Sequence, residues 1–255
     1  MEKITSASNP AVKRLRSLSE ARSRRAENAF LVEGGVMINE ALESGLKPLE
    51  ALFEEEEALV SRLASLGASV RLCSRAVLEH VCDTVTPQGC CASFRLPENT
   101  ALDEDAARLI ALDDVQDPGN VGTILRTADA AGFQGVLLGL KSADVFSPKV
   151  QRAAMGSGFR VHSVRTALMP ALKAYQKKGY RIVSSALDGE DLYAFGGFGS
   201  GERFVLVIGN EAKGISGDIR EMSDVRLKIP MRGRAESLNA SVAAGILMYE
   251  LTKPT

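Results

Sequence analysis

Leu109-Ile110-Ala111-Leu112-Asp113-Asp114-Val115-Gln116-Asp117-Pro118-Gly119-Asn120-Val121-Gly122 reads as a strand that runs out into a loop and re-enters the fold as a helix. The unbroken apolar run suits a strand covered on both faces. Asp117 followed by Pro118 is a helix start: a carboxylate that can accept from first-turn amides, then a residue whose missing N–H costs nothing there. Downstream, β-rich apolar runs recur at Val136–Leu140, Val161–Val164, Arg181–Ala186, Phe204–Ile208 and Val225–Ile229, with helical segments between them. That alternation predicts an α/β layer structure on a mostly parallel sheet. The chain ends on an Ala-rich helix, Leu238–Leu251, with Val242, Ile246 and Tyr249 at helical spacing.

Upstream the pattern is different. Helices are expected at Pro10–Arg25, Val36–Ser44 and Glu57–Leu66, and short strands near Phe30–Glu33, Leu49–Phe53, Val70–Cys73 and Cys90–Leu96. The polar stretch around Pro97–Asp105 is the best linker. It divides the chain into a small α/β domain at residues 1–97, a linker at 98–106 and a larger domain at 107–255.

The chain has 255 residues, 45% hydrophobic and 25% charged, the mixture of a globular protein. No apolar run approaches the roughly 18 residues that cross a bilayer, and Met1–Ser6 lacks the apolar stretch of a signal peptide, so a cytoplasmic protein without a membrane partner is expected. Cys73, Cys82, Cys90 and Cys91 show no paired CxxC spacing, and His80 and His162 add no zinc pattern. Reduced, buried thiols and no metal site are expected. The net charge is −1, yet Met1–Ala26 carries seven basic residues against two acidic ones, a local charge of +5. Such a patch, with Lys13, Arg22, Arg24 and Arg25 as candidate contacts, can hold phosphates or can be a solvated helix face.

In open parallel sheets ligands bind beyond the carboxyl ends of the strands. Three loops there stand out: Asp113–Gly122, Gly209–Gly214 and Pro230–Ser237. Gly209–Gly214 has the glycine spacing of a P-loop but is followed by Ile215-Ser216, without the lysine. The Gly197-Phe198-Gly199-Ser200-Gly201 cluster precedes a strand, so it cannot present a helix N-terminus to a pyrophosphate. Neither a GxSxG elbow nor an HExxH helix occurs. Gly122 and Arg126, four apart on the first helix of the domain, leave room beside the guanidinium for a nucleotide backbone, or serve only helix packing and surface charge.

Asp117-Pro118-Gly119-Asn120-Val121-Gly122 with Arg126, then Val207-Ile208-Gly209-Asn210-Glu211, then Ile229-Pro230-Met231 through Ser237-Leu238-Asn239-Ala240-Ser241-Val242-Ala243, together resemble the SpoU-type (TrmH-type) family of RNA ribose 2′-O-methyltransferases of the SPOUT class. Ala212 stands where many members carry another glycine. The opening Ile4–Asn9, the run Phe30-Leu31-Val32-Glu33-Gly34 and the turn Pro87-Gln88-Gly89 resemble, more loosely, the small ribosomal-protein-like RNA-binding domain found in many members.

The resemblance implies a deep trefoil knot, S-adenosylmethionine as cofactor, RNA as substrate with ribosomal RNA favoured over transfer RNA, and a homodimer with active sites at or near the interface. By the same resemblance Gly209, Ile229 and Leu238 hold the cofactor, with Glu211, Met231 and Asn239 completing the pocket. Arg126 is the implied catalytic residue, supported by Asn120, Glu211, Ser237 and Asn239. A guanidinium is a poor base, so the expected role of Arg126 is to hold a phosphate and stabilise developing oxyanion charge. For Ser237 the alternative is an ordinary helix N-cap. Two other functions stay open: an RNA-binding or chaperone protein without catalysis, told apart by failure to bind S-adenosylmethionine, and a methyltransferase acting on a base nitrogen, told apart by the position of the methyl group.

Overall fold

The computed structural model describes residues 3–199 and 201–253. Met1, Glu2 and Ser200, which enter the N-terminal, charge and glycine-cluster readings, lie outside the described residues. The chain forms two compact units, Met1–Glu98 with Phe146–Phe159, and Asn99–Val145 with Arg160–Thr255.

The first unit carries strands β1 (Ala29–Glu33), β2 (Pro48–Phe53), β3 (Ser69–Leu72) and β4 (Cys90–Arg95) in the order β1-β4-β2-β3. Helices α1 (Pro10–Ser17), α2 (Ala21–Glu27), α3 (Gly35–Glu43), α4 (Ala58–Ser65) and α5 (Arg75–Val81) flank them. The sheet is mixed, with β4 antiparallel to both β1 and β2 and β2 parallel to β3. Strand residues alternate between two cores. Phe30, Val32, Phe53 and Phe94 face α3 and α4, while Leu31, Leu52 and Cys91 face Val12 and Leu15 of α1 and Val77 and Leu78 of α5. All four cysteines are buried and free, and burial pushes the Cys73 thiol up to about 11 and Cys90 up to about 12. The single helix expected over Pro10–Arg25 is two. The buried Arg24 explains the break: its guanidinium donates to the carbonyls of Leu18 and Ser19 at 2.8 Å each, which satisfies the end of α1 from within α2. Phe146 and Phe159, from the segment between the sixth and seventh strands, pack against Phe30 in the same core.

The second unit is a six-stranded sheet in which every pairing is parallel, ordered β10-β8-β9-β5-β6-β7. Its strands are β5 (Arg108–Asp113), β6 (Gly135–Leu138), β7 (His162–Arg165), β8 (Arg181–Asp191), β9 (Phe204–Gly209) and β10 (Val225–Lys228), each at a position expected from the sequence. Its helices are α6 (Pro118–Ala130), α9 (Leu168–Lys177), α10 (Leu192–Phe195), α11 (Gly217–Met222) and α12 (Ala240–Leu251), while α7 (Pro148–Ala154) and most of α8 (Ser157–Arg160), which follow β6 in the chain, belong to the first unit. Leu109, Ala111, Val205 and Val207 pack with Leu168 and Leu172 of α9 and Ile219 of α11. Their neighbours Ile110, Leu112 and Leu206 are equally buried, so both faces of the central strands are covered, as the unbroken apolar runs require. α12 packs on α6 and β9.

Candidate active site

Asp113 and Gly209 pair at the carboxyl ends of β5 and β9, which brings the first two loops side by side. Asp114 adopts φ 57°, a left-handed turn that Asp tolerates better than most residues. Its carbonyl accepts from Asn210 Nδ2 at 2.9 Å. Asp117 caps α6, its carboxylate accepting from the Asn120 N–H at 2.7 Å, with Pro118 in the first turn as expected.

One chain of hydrogen bonds then ties all three loops together. The Glu211 carboxylate accepts from the N–H groups of Gln116 at 3.3 Å and Asp117 at 3.1 Å, and from Asn120 Nδ2 at 3.0 Å. A carboxylate can only accept, so Asn120 must turn its NH2 toward Glu211, which leaves its Oδ1 to accept from Asn239 Nδ2 at 2.9 Å. Asn239 Oδ1 in turn accepts from Ser241 N at 2.9 Å and Ser241 Oγ at 2.7 Å, capping α12. Burial alone would raise the Glu211 carboxyl, but the bonds from Asn120, its own backbone and Asp117 and Gln116 outweigh it and hold it below its ordinary value. Glu211 is therefore an ionised brace with its oxygens occupied and is poorly suited to take a proton.

Beside this chain lies a cleft of about 540 Å³. Gly209, Glu211, Ile229, Met231, Ser237, Leu238 and Asn239, seven of the residues singled out in the sequence, line it. Asn120 is buried and reaches it only through Glu211 and Asn239, and Arg126 is exposed on α6 and does not line it. Gly122 is buried beside the exposed Arg126 on α6. Ser237 does not cap the last helix; Asn239 does, and Ser237 is exposed at the cleft. The sequence reading missed Ser185, Ala186 and Leu187 of β8, just past its pairing with β9, and Lys213, Gly214 and Ile215 in the second loop. The β8 residues lay within reach, because they follow the segment of β8 that pairs with β9, on the carboxyl side of the parallel sheet where ligands bind.

The need for glycine at 209 has an internal cause. A Cβ there would lie 2.2 Å from the Gly214 carbonyl carbon and 2.3 Å from the Ile215 nitrogen, so the loop can double back only over a bare backbone. Apolar Ile229, Met231 and Leu238 with a few amide and hydroxyl groups, in a cleft of this volume, suit a nucleoside-sized ligand with one polar edge. Among the described residues no group of His, Cys, Asp and Glu is arranged to hold a metal ion, and no helix is long and apolar enough to cross a membrane.

In the first unit, Lys13, Arg22 and Arg25 are exposed, whereas Arg24 is spent on the end of α1. Arg24 is thereby corrected from a phosphate contact to a helix-terminating residue.

Comparison with known proteins agrees with this geometry. Residues 107–249 match the SpoU rRNA Methylase family and residues 9–92 the MRM3-like substrate binding domain. The chain is 37% identical over 251 residues to the 23S rRNA (guanosine(2553)-2'-O)-methyltransferase RlmP of Bacillus subtilis, covering 98% of this chain and 99% of that protein. It superposes with a TM-score of 0.88 and 30% identity on the AdoMet-bound rRNA methyltransferase of Sinorhizobium meliloti, covering 98% and 97% of the two chains. The SpoU methyltransferase AviRb of Streptomyces viridochromogenes, in complex with AdoMet, gives 0.83 at 26% identity, with 96% and 97% covered. Linked loops, an apolar cleft at the ends of parallel strands and end-to-end likeness to RlmP agree on one assignment: this chain belongs to the SpoU rRNA methylase family.

Proposed function

We propose that the chain transfers a methyl group from S-adenosylmethionine to a ribose 2′-hydroxyl of ribosomal RNA. The observation that carries this reading is the cleft whose lining residues are braced by the Glu211–Asn120–Asn239 chain, within a family whose relatives bind that cofactor. Bound there, S-adenosylmethionine would supply an activated methyl group. Ile229, Met231 and Leu238 would hold its apolar parts, with Gly209 shaping the wall and backbone groups of the second and third loops meeting its polar edge. Glu211, Asn120 and Asn239 keep the loops in register so that the incoming hydroxyl meets a fixed geometry. Ser237, exposed at the lip, is placed to hydrogen-bond the ribose. Arg126 holds a neighbouring phosphate and stabilises charge developing on the hydroxyl oxygen.

Because Arg126 lies off the cleft of its own chain, it serves the cleft of a second copy, in a homodimer built on α6 and α12. Val242 and Tyr249, 51% and 56% exposed on α12, support that surface. The chain segment from Ile229 to α12 is read as the threaded part of a deep trefoil knot. Residues 1–97 bind the RNA and 107–255 carry the chemistry, joined by 98–106; Lys13, Arg22 and Arg25 contact phosphates. The substrate places the protein in the cytoplasm. RlmP's action on 23S rRNA favours ribosomal over transfer RNA. Mapping ribose methylation in total RNA from cells with and without the gene tests the proposal: one 2′-O-methyl in ribosomal RNA should vanish. A vanished methyl on a base, or no change in ribosomal RNA, would overturn it.

A further inference from the structure

A second cavity, of about 200 Å³, opens in the first unit. Leu15, Leu18 and Leu49 give it apolar lining, and Arg14, Glu50 and Arg71 give it charge. Glu50 sits on β2 with its side chain only 6% exposed, a cost that ionised burial imposes unless the charge is paired. It is paired twice. Arg14 donates from Nη2 at 2.6 Å and Nε at 3.1 Å to one carboxylate oxygen, and Arg71 donates from Nη1 to the other. With Glu27 also lining the cavity, two arginines face two carboxylates, so the site offers uncommitted N–H donors and no net charge. A guanidinium has five N–H donors, so each arginine keeps at least three uncommitted by Glu50. Their side chains are 47% and 40% exposed, and Glu50 fixes their planes while those remaining donors stay within reach of solvent. Glu27, exposed at the rim, adds an acceptor that disfavours a bare phosphate dianion and favours a ligand with amino groups.

A cavity of about 200 Å³ floored by the buried Leu15 and Leu18, with a pair of guanidinium planes fixed by Glu50 and an acceptor at the rim, matches an unstacked RNA base with its flanking phosphate, the unit that single-stranded RNA offers to proteins. We propose that this cavity takes one splayed-out base of the RNA while Arg14 and Arg71 hold the adjacent phosphate. The proposal rests on the reading of the chain as an RNA-binding enzyme.

The test uses the full chain and a fluorescent single-stranded RNA dodecamer of mixed sequence. Arg71→Gln removes one guanidinium and leaves Glu50 paired with Arg14. Ser69→Trp fills the slot from an exposed position on β3 without changing charge. Each should weaken binding roughly tenfold. The salt slope should fall by about one phosphate for Arg71→Gln and stay constant for Ser69→Trp. In the unmodified protein, the Arg14 Nε–H resonance should shift on adding the RNA, which reads the site without any variant. A folded Ser69→Trp protein that binds normally, or an unmoved Arg14 resonance on saturation, overturns base insertion. If the unmodified chain binds S-adenosylmethionine but no RNA, the functional reading falls with it, a result distinct from normal RNA binding by both variants.

Discussion

Asn120 is the narrowest point of the site, since its one amide joins the second loop through Glu211 to the third through Asn239. Asn120→Ala should cost about 0.5 to 1.5 kcal/mol, because it removes the hydrogen bonds to Glu211 and Asn239, exposed groups that water can partly satisfy. It should also weaken S-adenosylmethionine binding by loosening both walls of the cleft. Calorimetry and thermal unfolding would show this; unchanged affinity would mean the loops hold their places without it. Glu211 makes a prediction of opposite chemical sense. Its carboxyl lies below the ordinary value of 4.5 in the folded chain, so its contribution to stability is present above that pH and is lost as pH falls through the folded value. Glu211→Gln should therefore show less acid-side loss of melting temperature than the unmodified chain below pH 4.5, and parallel acid limbs would refute the assignment. The type of these residues and their loops were legible in the sequence. Their bonding was not, because Asn120 and Glu211 are 91 positions apart and only the strand order makes them neighbours.

At the scale of elements, the parallel sheet was readable because a strand covered on both faces must be apolar nearly throughout, a rule that β5, β6 and β9 follow, while the edge strands β7 and β10 carry polar residues. Helix ends were less readable. The basic run Arg22, Arg24, Arg25 looks uniform in sequence, yet Arg24 turns inward because α1 ends with carbonyls that need a donor. Glycine at 209 was legible as a requirement for bare backbone, but the approaching group is the chain's own Gly214–Ile215. The different fates of the arginines are separable by experiment. Arg24→Ala should destabilise the first unit by about 2 to 3 kcal/mol, as expected when charged hydrogen bonds are removed and buried carbonyls orphaned. Replacing Lys13, Arg22 and Arg25 together by alanine should leave the melting temperature unchanged, weaken RNA binding and flatten its salt dependence, since fewer counterions are released. S-adenosylmethionine affinity should be the same as in the unmodified chain. Normal RNA affinity with the same salt slope in that triple variant would make the cluster a solvated face.

For the whole molecule, the cleft and Arg126 belong to one chain but do not meet in it. The buried face of α12 is Ser241, Ala244, Leu247, Met248 and Leu251, packed inward on α6 and β9. The outward face keeps Val242 and Tyr249 in solvent, an arrangement a second copy would relieve by the two-fold self-pairing common among oligomers. If the partner's Arg126 completes each cleft, loss of either component should be rescued in trans. Arg126→Ala should abolish methyl transfer while binding S-adenosylmethionine normally. Arg126→Lys should fail as well, because an ammonium lacks the planar fork. Leu238→Trp, which fills the cleft, should abolish cofactor binding and leave Arg126 intact. Mixed after unfolding and refolding together, Arg126→Ala and Leu238→Trp chains form hybrid dimers in half of all pairings. Each hybrid has one site with both an open cleft and an arginine, so activity should return to roughly a quarter of the unmodified level. No recovery in refolded mixtures that light scattering shows to be dimeric would place Arg126 on its own chain's substrate. A monomer at micromolar concentration would remove the interface altogether.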